Sequence, residues 1–396
     1  MIAWPAVLPD EPLSCTKSLH VLTLTPFYPV RGDDAQGCFV AEPLPWLERL
    51  GMKNTVIAVR PFYHGRAVVG DSAVPSRWVS FFSLPSGWGL PSTGRFLFAR
   101  IFSEIERLHR RQPIDLIHAH SALPCGHAAY LLSRELGIPF VVSVHGLDAY
   151  FSRQVGGLSG AWCGRVASLV YREAKDVICV SEKIRDQVMS RLGNVTHTNV
   201  IYNGVDPDIF FPANGDSETI LSVGSLIETK GHEQLLRALA SVHKAHPAVN
   251  CDIVGEGPEQ KRLQKLSAEL GLANRVRFLG RLSRSQVAEA MRRCKLFALP
   301  SRYEGLGCVY VEAMCSGKVA IGCRGQGIEE VIQHGVNGWL VSPRDVQELA
   351  NALSFLLQQD NLRRRMGEAA RQTILQHYTL EHQGALLSDL YRRSVS

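Results

Sequence analysis

The residues best placed to do chemistry lie in one stretch, Pro300-Ser-Arg-Tyr-Glu304-Gly-Leu-Gly307-Cys-Val-Tyr-Val-Glu312-Ala. An apolar strand, LFALP, ends there. A loop with Glu304, Gly305 and Gly307 follows, and then a helix that carries Glu312. Glycines in such a loop let a ligand approach the backbone closely. Free N–H groups at the helix start suit a phosphate. The two carboxylates flank that point, so one can accept from the hydroxyls of a sugar and the other from those of a ribose. Two glutamates at this spacing are common by chance, and a capping glutamate beside a solvent-facing one would look the same. The strand, the glycines and the helix make the pattern specific.

Other segments offer groups of the same kind. Lys230, in VGSLIETKG, offers a cation at a helix start, where a solvated lysine would look the same. His145 ends the apolar strand FVVSVHG just before Gly146, with Asp148 close behind. An isolated histidine at a strand end is most often a satisfied structural group, and so we read His118 and His120 in LIHAH. Gly37 lies in the loop after the first strand and serves either as a turn or as a point of close approach. Asp206-Pro-Asp208 spells an Asp-x-Asp metal pattern but falls in a linker, so no metal site is assigned. The ten cysteines form no Cys-x-x-Cys pair and no zinc-spaced cluster, and read as reduced core residues.

Two runs of alternating strands and helices must position these groups. Strand-like runs stand at 20–26, 55–61, 78–84, 116–120, 140–146, 176–181 and 199–204, and again at 219–224, 251–255, 276–280, 296–300, 319–323 and 338–342. Near-continuous apolar strands between amphipathic helices predict parallel sheets covered on both faces. The expected fold class is α/β, two doubly wound Rossmann-like domains with the active site in the cleft between them, since such sheets bind ligands at the carboxyl ends of their strands. The expected domains are 1–205 and 206–375. A C-terminal helix, 376–396, returns toward the first domain. With 396 residues, 45% hydrophobic and 20% charged, the chain has the composition of a soluble globular protein of two domains. A net charge of +6 is too weak to imply nucleic acid. No targeting signal or membrane span is evident, so a cytoplasmic location is expected, with the basic, aromatic segment Arg95–Arg111 available for the inner face of the membrane.

The stretch from Glu304 to Glu312 resembles the signature of the retaining glycosyltransferases of family 4, which have the two-Rossmann-domain GT-B fold. VGSLIETKG (223–231), IVGEGPE (253–259), RVRFLGRL (275–282), EAMCSGKVAIGCRGQGIEEVI (312–332) and VNGWLV (336–341) stand in that family's order. YNGVDPDIFFP (202–212) is similar to its interdomain linker, and the first half is a looser match. The resemblance implies a metal-independent enzyme without cofactor that moves a hexose from a nucleotide-diphosphate donor, a uridine one being commonest, to a glycan or lipid-linked acceptor, as in bacterial surface-polysaccharide synthesis. It assigns Glu304, Lys230 and His145 to catalysis. Gly37, Glu256, Gly280, Leu282, Gly305, Leu306, Gly307 and Glu312 fall to donor binding, and Asp148 to the acceptor side. Relatives often have arginine where this chain has Ser225, which leaves Lys230 as the main cation. The exposed loop position expected for Glu304 implies that Glu304→Ala loses transfer and keeps the fold. Alternatives are an epimerase or phosphorylase of the same fold, a silent nucleotide-sugar-binding protein and a dinucleotide oxidoreductase. The loop Pro26–Gly37 lacks the glycine fingerprint of the last.

Overall fold

The computed structural model describes residues 18–65, 68–70, 74–84, 89–146, 157–192, 197–213 and 217–396. Among the described residues, thirteen strands form two all-parallel sheets. The first contains β1 (Leu19–Thr25), β2 (Met52–Pro61), β3 (Ser76–Phe81), β4 (Leu116–His120), β5 (Phe140–Val144), β6 (Val177–Cys179) and β7 (Thr198–Val200), in the order β3-β2-β1-β4-β5-β6-β7. The second contains β8 (Thr219–Val223), β9 (Asn250–Val254), β10 (Val276–Gly280), β11 (Leu296–Ala298), β12 (Ala320–Cys323) and β13 (Trp339–Val341), ordered β10-β9-β8-β11-β12-β13. Each sheet therefore winds outward in both directions from its first strand, which sits beside its fourth. β1, β4 and β5 are buried along their whole length, as strands covered on both faces must be.

Helices cover the faces. In the first half they are α1 (Cys38–Ala41), α2 (Leu44–Arg49), α3 (Thr93–Arg111), α4 (His127–Leu136), α5 (Gly157–Glu173) and α6 (Glu182–Leu192). In the second half they are α7 (His232–Ala245), α8 (Gln260–Glu269), α9 (Arg284–Arg293), α10 (Cys308–Cys315), α11 (Val346–Gln358), α12 (Asp360–His377) and α13 (Leu380–Val395). α9 starts with a capping box in which Ser283 and Gln286 satisfy each other's backbone N–H groups.

The chain crosses between the sheets twice, and the two crossings touch. Val205 N–H donates to Tyr378 O, and Leu380 N–H returns to Val205 O. α13 then packs on the first sheet. Leu387, Leu390 and Tyr391 join the core of β1 and β4, and Tyr391 O–H meets His118 Nδ1 at 2.7 Å. Ser394 donates to Asp176 and Arg392 to Leu50 O. The C-terminal helix thus belongs physically to the domain at the opposite end of the chain.

The site follows from the strand orders. In a doubly wound sheet the crevice opens where the winding reverses, outside the carboxyl ends of the strands. Those ends are β1/β4 and β8/β11. The loops leaving them carry Gly37, His120, Lys230 and Glu304.

Candidate active site

Glu304 lies six residues beyond the end of β11 and is 6% exposed. Its Oε1 accepts from Lys230 Nζ at 2.6 Å and from Ser301 Oγ at 2.9 Å. Lys230 ends the single turn Glu228–Lys230 that follows β8, so neighbouring strands deliver the cation and the carboxylate to one point. Burying a lone carboxylate would be costly, and the ammonium offsets that cost. The Glu304 backbone N–H donates to Gln326 Oε1, which also accepts from Lys183 Nζ of the first domain at 2.5 Å. The sequence predicts an exposed loop glutamate. The structure buries it, because the loop 325–327 and the first domain both close over it.

Glu312 sits in α10 and is 3% exposed. Its Oε1 accepts from Arg284 Nη1, and its Oε2 is buried with no hydrogen-bond partner. Gly307 starts α10, and Leu306 before it is buried, so Leu306 offers its backbone and not its side chain to a ligand.

His145 follows β5. Its Nε2 lies 2.9 Å from His120 Nδ1, and the rings stack at 5.1 Å between centroids. The His118 ring lies tilted against His120, at 4.2 Å between centroids. Phe27 and Phe39 enclose His145. Burial pushes both His118 and His145 down to about 3, with the neighbouring imidazole adding to the effect on His118. Both rings are therefore neutral at pH 7 and act as hydrogen-bonding groups rather than as cations.

These depressed values make stability depend on pH. An unfolded imidazole titrates near 6.5, so between about 3 and 6.5 the unfolded chain binds protons that the folded chain does not. Stability is then complete above pH 6.5 and is lost as the pH falls below it. The expected loss at pH 5 is about 2 kcal/mol for each of the two histidines. Glu42 and Glu182, raised by their burial, act in the opposite sense, while His120, His127 and His232, lowered by burial, add to the loss. Calorimetry from pH 8 to pH 5 should show a flat melting temperature that declines below 6.5. A melting temperature unchanged down to pH 5 would contradict the buried, neutral histidine stack.

The two halves of the site meet at Gly305. A Cβ there would stand 2.2 Å from His145 O, and Ser181 Oγ donates to Gly305 O at 2.6 Å. Gly37, at φ +66°, turns the chain into α1, and a Cβ on it would meet the backbone of Phe27 and Tyr28 at 2.3 Å. Around the rim, Glu256 and Ser225 are exposed, and Gly280 and Leu282 are partly exposed in the loop after β10. Glu330 caps α6 across the cleft, accepting from Glu182 N–H and Lys183 N–H at 2.8 and 2.9 Å. Asp148 lies outside the described residues. Asp206 and Asp208 form a local turn in which Asp206 Oδ1 accepts from Asp208 N–H.

Sequence reasoning did not single out Arg284, Glu42, Ser301, Lys183 or Gln326, and it left His120 as a structural residue. For His120 a signal existed, since it is the last residue of β4 at the switch point. Arg284 had none, because an arginine in the first turn of a helix reads as solvated.

The family description "Glycosyltransferase Family 4" matches residues 40–209, and "Glycosyl transferases group 1" matches residues 208–373. An uncharacterized glycosyltransferase of Methanocaldococcus jannaschii is 32% identical over 259 residues, 65% of this chain and 70% of the relative. The alpha-D-kanosaminyltransferase of Streptomyces kanamyceticus is 29% identical over 343 residues, 81% and 86% of the two chains. Among solved structures, sucrose-phosphate synthase of Thermosynechococcus elongatus superposes with a TM-score of 0.80 at 21% identity, covering 94% of this chain and 98% of the other. HepE of Anabaena, in complex with UDP and glucose, superposes with a TM-score of 0.74 at 23% identity, covering 95% and 100%.

Proposed function

Because the chain belongs to the group 1, family 4 glycosyltransferases, we propose that it transfers a hexose from a uridine-diphosphate donor, with retention and without a metal ion, to a glycan or lipid-linked acceptor. The observation that carries the reading is the Lys230–Glu304 pair at 2.6 Å, held against the loop of His145 from the facing domain. The domain of residues 206–375 would hold the donor and that of residues 1–205 the acceptor. Glu304 would accept from hydroxyls of the transferred sugar and Glu312 from those of the ribose. Backbone N–H groups of Leu306 and Gly307 would meet the distal phosphate. Gly37, Glu256, Gly280 and Leu282 would frame the nucleotide. The complex of HepE with UDP and glucose supports the nucleobase.

In the reaction the bond from the anomeric carbon to the diphosphate breaks. The acceptor hydroxyl bonds to that carbon on the same face, and its proton passes to a diphosphate oxygen. Charge grows on the leaving group, where Lys230 provides the stabilisation that a metal provides elsewhere. His145, neutral, would orient the sugar. Ligands that bind only the native state raise its melting temperature. A panel of uridine, guanosine, adenosine and thymidine diphosphates, free and sugar-linked, is expected to give a shift with the uridine compounds that EDTA leaves intact. Loss of the shift in EDTA would overturn metal independence, and a shift with another base would replace the donor.

Contact with an anionic membrane belongs to the same reading. No helix among the described residues is long and apolar enough to cross a membrane. Phe62, Phe82 and Phe96 are exposed and pack on one another, Phe62 stacked on Phe82 and Phe82 edge-on to Phe96. Arg95, Arg100, Arg107, Arg110 and Arg111 are exposed along α3. Sedimentation with phosphatidylglycerol vesicles is expected at low salt and should weaken as salt rises. No sedimentation at low salt would exclude the contact.

A further inference from the structure

Arg284 is shared by two carboxylates from different domains. Its Nη1 donates to Glu312 Oε1 in the donor domain. Its Nε and Nη2 donate in parallel to Glu42 Oε1 and Oε2 in the first domain, at 2.8 and 3.0 Å. The Arg284 backbone N–H, at the start of α9, donates to Asp34 Oδ1 at 3.0 Å, and the neighbouring Arg281 pairs with Asp33. The guanidinium lies 4.7 Å from the ring centroid of Phe210, in the segment that joins the domains.

The three charged groups are well buried, with side-chain exposures of 18% for Glu42, 11% for Arg284 and 4% for Glu312. Burial works against the charge on Arg284, but the carboxylates of Glu312 and Glu42 more than offset it and hold the guanidinium protonated. One cation serves two anions, and the shortage of donors falls on Glu312, whose Oε2 has none. A buried acceptor without a donor is rare and calls for a reason, and a ligand hydroxyl supplies one.

We propose that Arg284 and Glu42 are positioning residues that couple donor binding to closure of the cleft. Arg284 fixes Oε1 of Glu312 and leaves Oε2 to the ribose. It can do so only while Glu42 occupies its other edge. When the domains part, Glu42 leaves, and the guanidinium turns both donors onto Glu312 in the bidentate geometry that arginine favours. The ribose acceptor is then covered. The closed form therefore binds donor more tightly than the open form, and donor binding favours closure by the same factor. This inference rests on the reading that Glu312 takes the ribose.

The test is titration calorimetry of uridine diphosphate and its 2′,3′-dideoxy analogue against the full chain, Glu42→Gln, Glu312→Gln and the double variant. Glu42→Gln, at a residue given no contact with the nucleotide, is expected to weaken uridine diphosphate by about tenfold. It should have no further effect in the Glu312→Gln background and little effect on the dideoxy analogue. Arg284→Lys keeps the charge but cannot serve two carboxylates in parallel. It is expected to match Glu42→Gln and stands in should that variant fail to fold. Parental affinity in Glu42→Gln, or a loss that simply adds to that of Glu312→Gln, would overturn the coupling while leaving the ribose assignment in place. Parental affinity in Glu312→Gln would instead overturn the ribose assignment, and the coupling with it.

Discussion

Glu304→Gln is expected to lower kcat for transfer by a factor of about 10³ while the folded protein survives. The substitution keeps the shape of the side chain and removes its charge. Ser301 Oγ can still donate to the remaining oxygen, so the loop keeps one of its internal hydrogen bonds. Lys230 is left without its carboxylate, but its side chain is 23% exposed and can turn toward water. The stability cost should therefore stay at about 1.5–3 kcal/mol, the range for one hydrogen bond to a charged group. The catalytic cost is larger because the carboxylate holds both the sugar hydroxyls and Lys230, the cation that meets the developing charge; loss of one preorganised contact typically costs about 10²–10³. Steady-state kinetics beside calorimetry separate the two effects. A variant within threefold of the parent would place Glu304 outside the reacting site. A variant that is inactive because it melts far below the parent would make the Lys230 pair structural.

Gly305→Ala should be almost as severe by another route. The added methyl would lie 2.2 Å from His145 O and 3.4 Å from Gly146 Cα, both in the facing domain. Backbone atoms cannot rotate away as a side-chain end can. Either the Glu304 loop shifts by about an ångström or the cleft opens, and displacement on that scale can cost about 100-fold in rate. The expected signature is a fall in kcat of about 100-fold together with weaker nucleotide binding, because Leu306 and Gly307 move with a shifted loop and an opened cleft takes Glu42 away from Arg284. Gly164→Ala is the control, since a Cβ there meets nothing within 4 Å and the helix α5 should accept it. Parental kcat in Gly305→Ala would show that the contact between the two strand-end loops is absent from the working enzyme.

Much of the architecture was legible without coordinates. Each of the thirteen apolar runs became one strand, because a strand buried on both faces must be apolar nearly throughout and the helices between them show a different period. The limits were less legible. The run 78–84 was expected to be strand to its end, yet β3 stops at Phe81, and Phe82 and Leu84 are about half exposed. Apolar residues on an accessible surface give the same local signal as core. The run 199–204 ends as strand at Val200, where pairing with β6 ends.

In the site, a glycine-rich loop after a strand, with Glu304 in it and Glu312 on the following helix, was legible from residue type and position, whereas the roles expected of Lys230 and His145 came with the family resemblance. Their environments were not legible. Glu304 is buried against Lys230 from a segment 74 residues away, His145 against His120 from 25 residues away, and Arg284 against Glu42 from 242 residues away. Periodicity reports which face of an element is apolar. It carries nothing about which charged group of one domain will meet which of the other. The amino-acid pattern by itself determined the two sheets and the chemical groups at their rims. Only the tertiary packing decided which carboxylate is paired and which imidazole stays neutral, and the meeting of the two domains at Arg284 left one buried acceptor without a donor, because desolvation and Coulomb pairing act through distance in space and not along the chain.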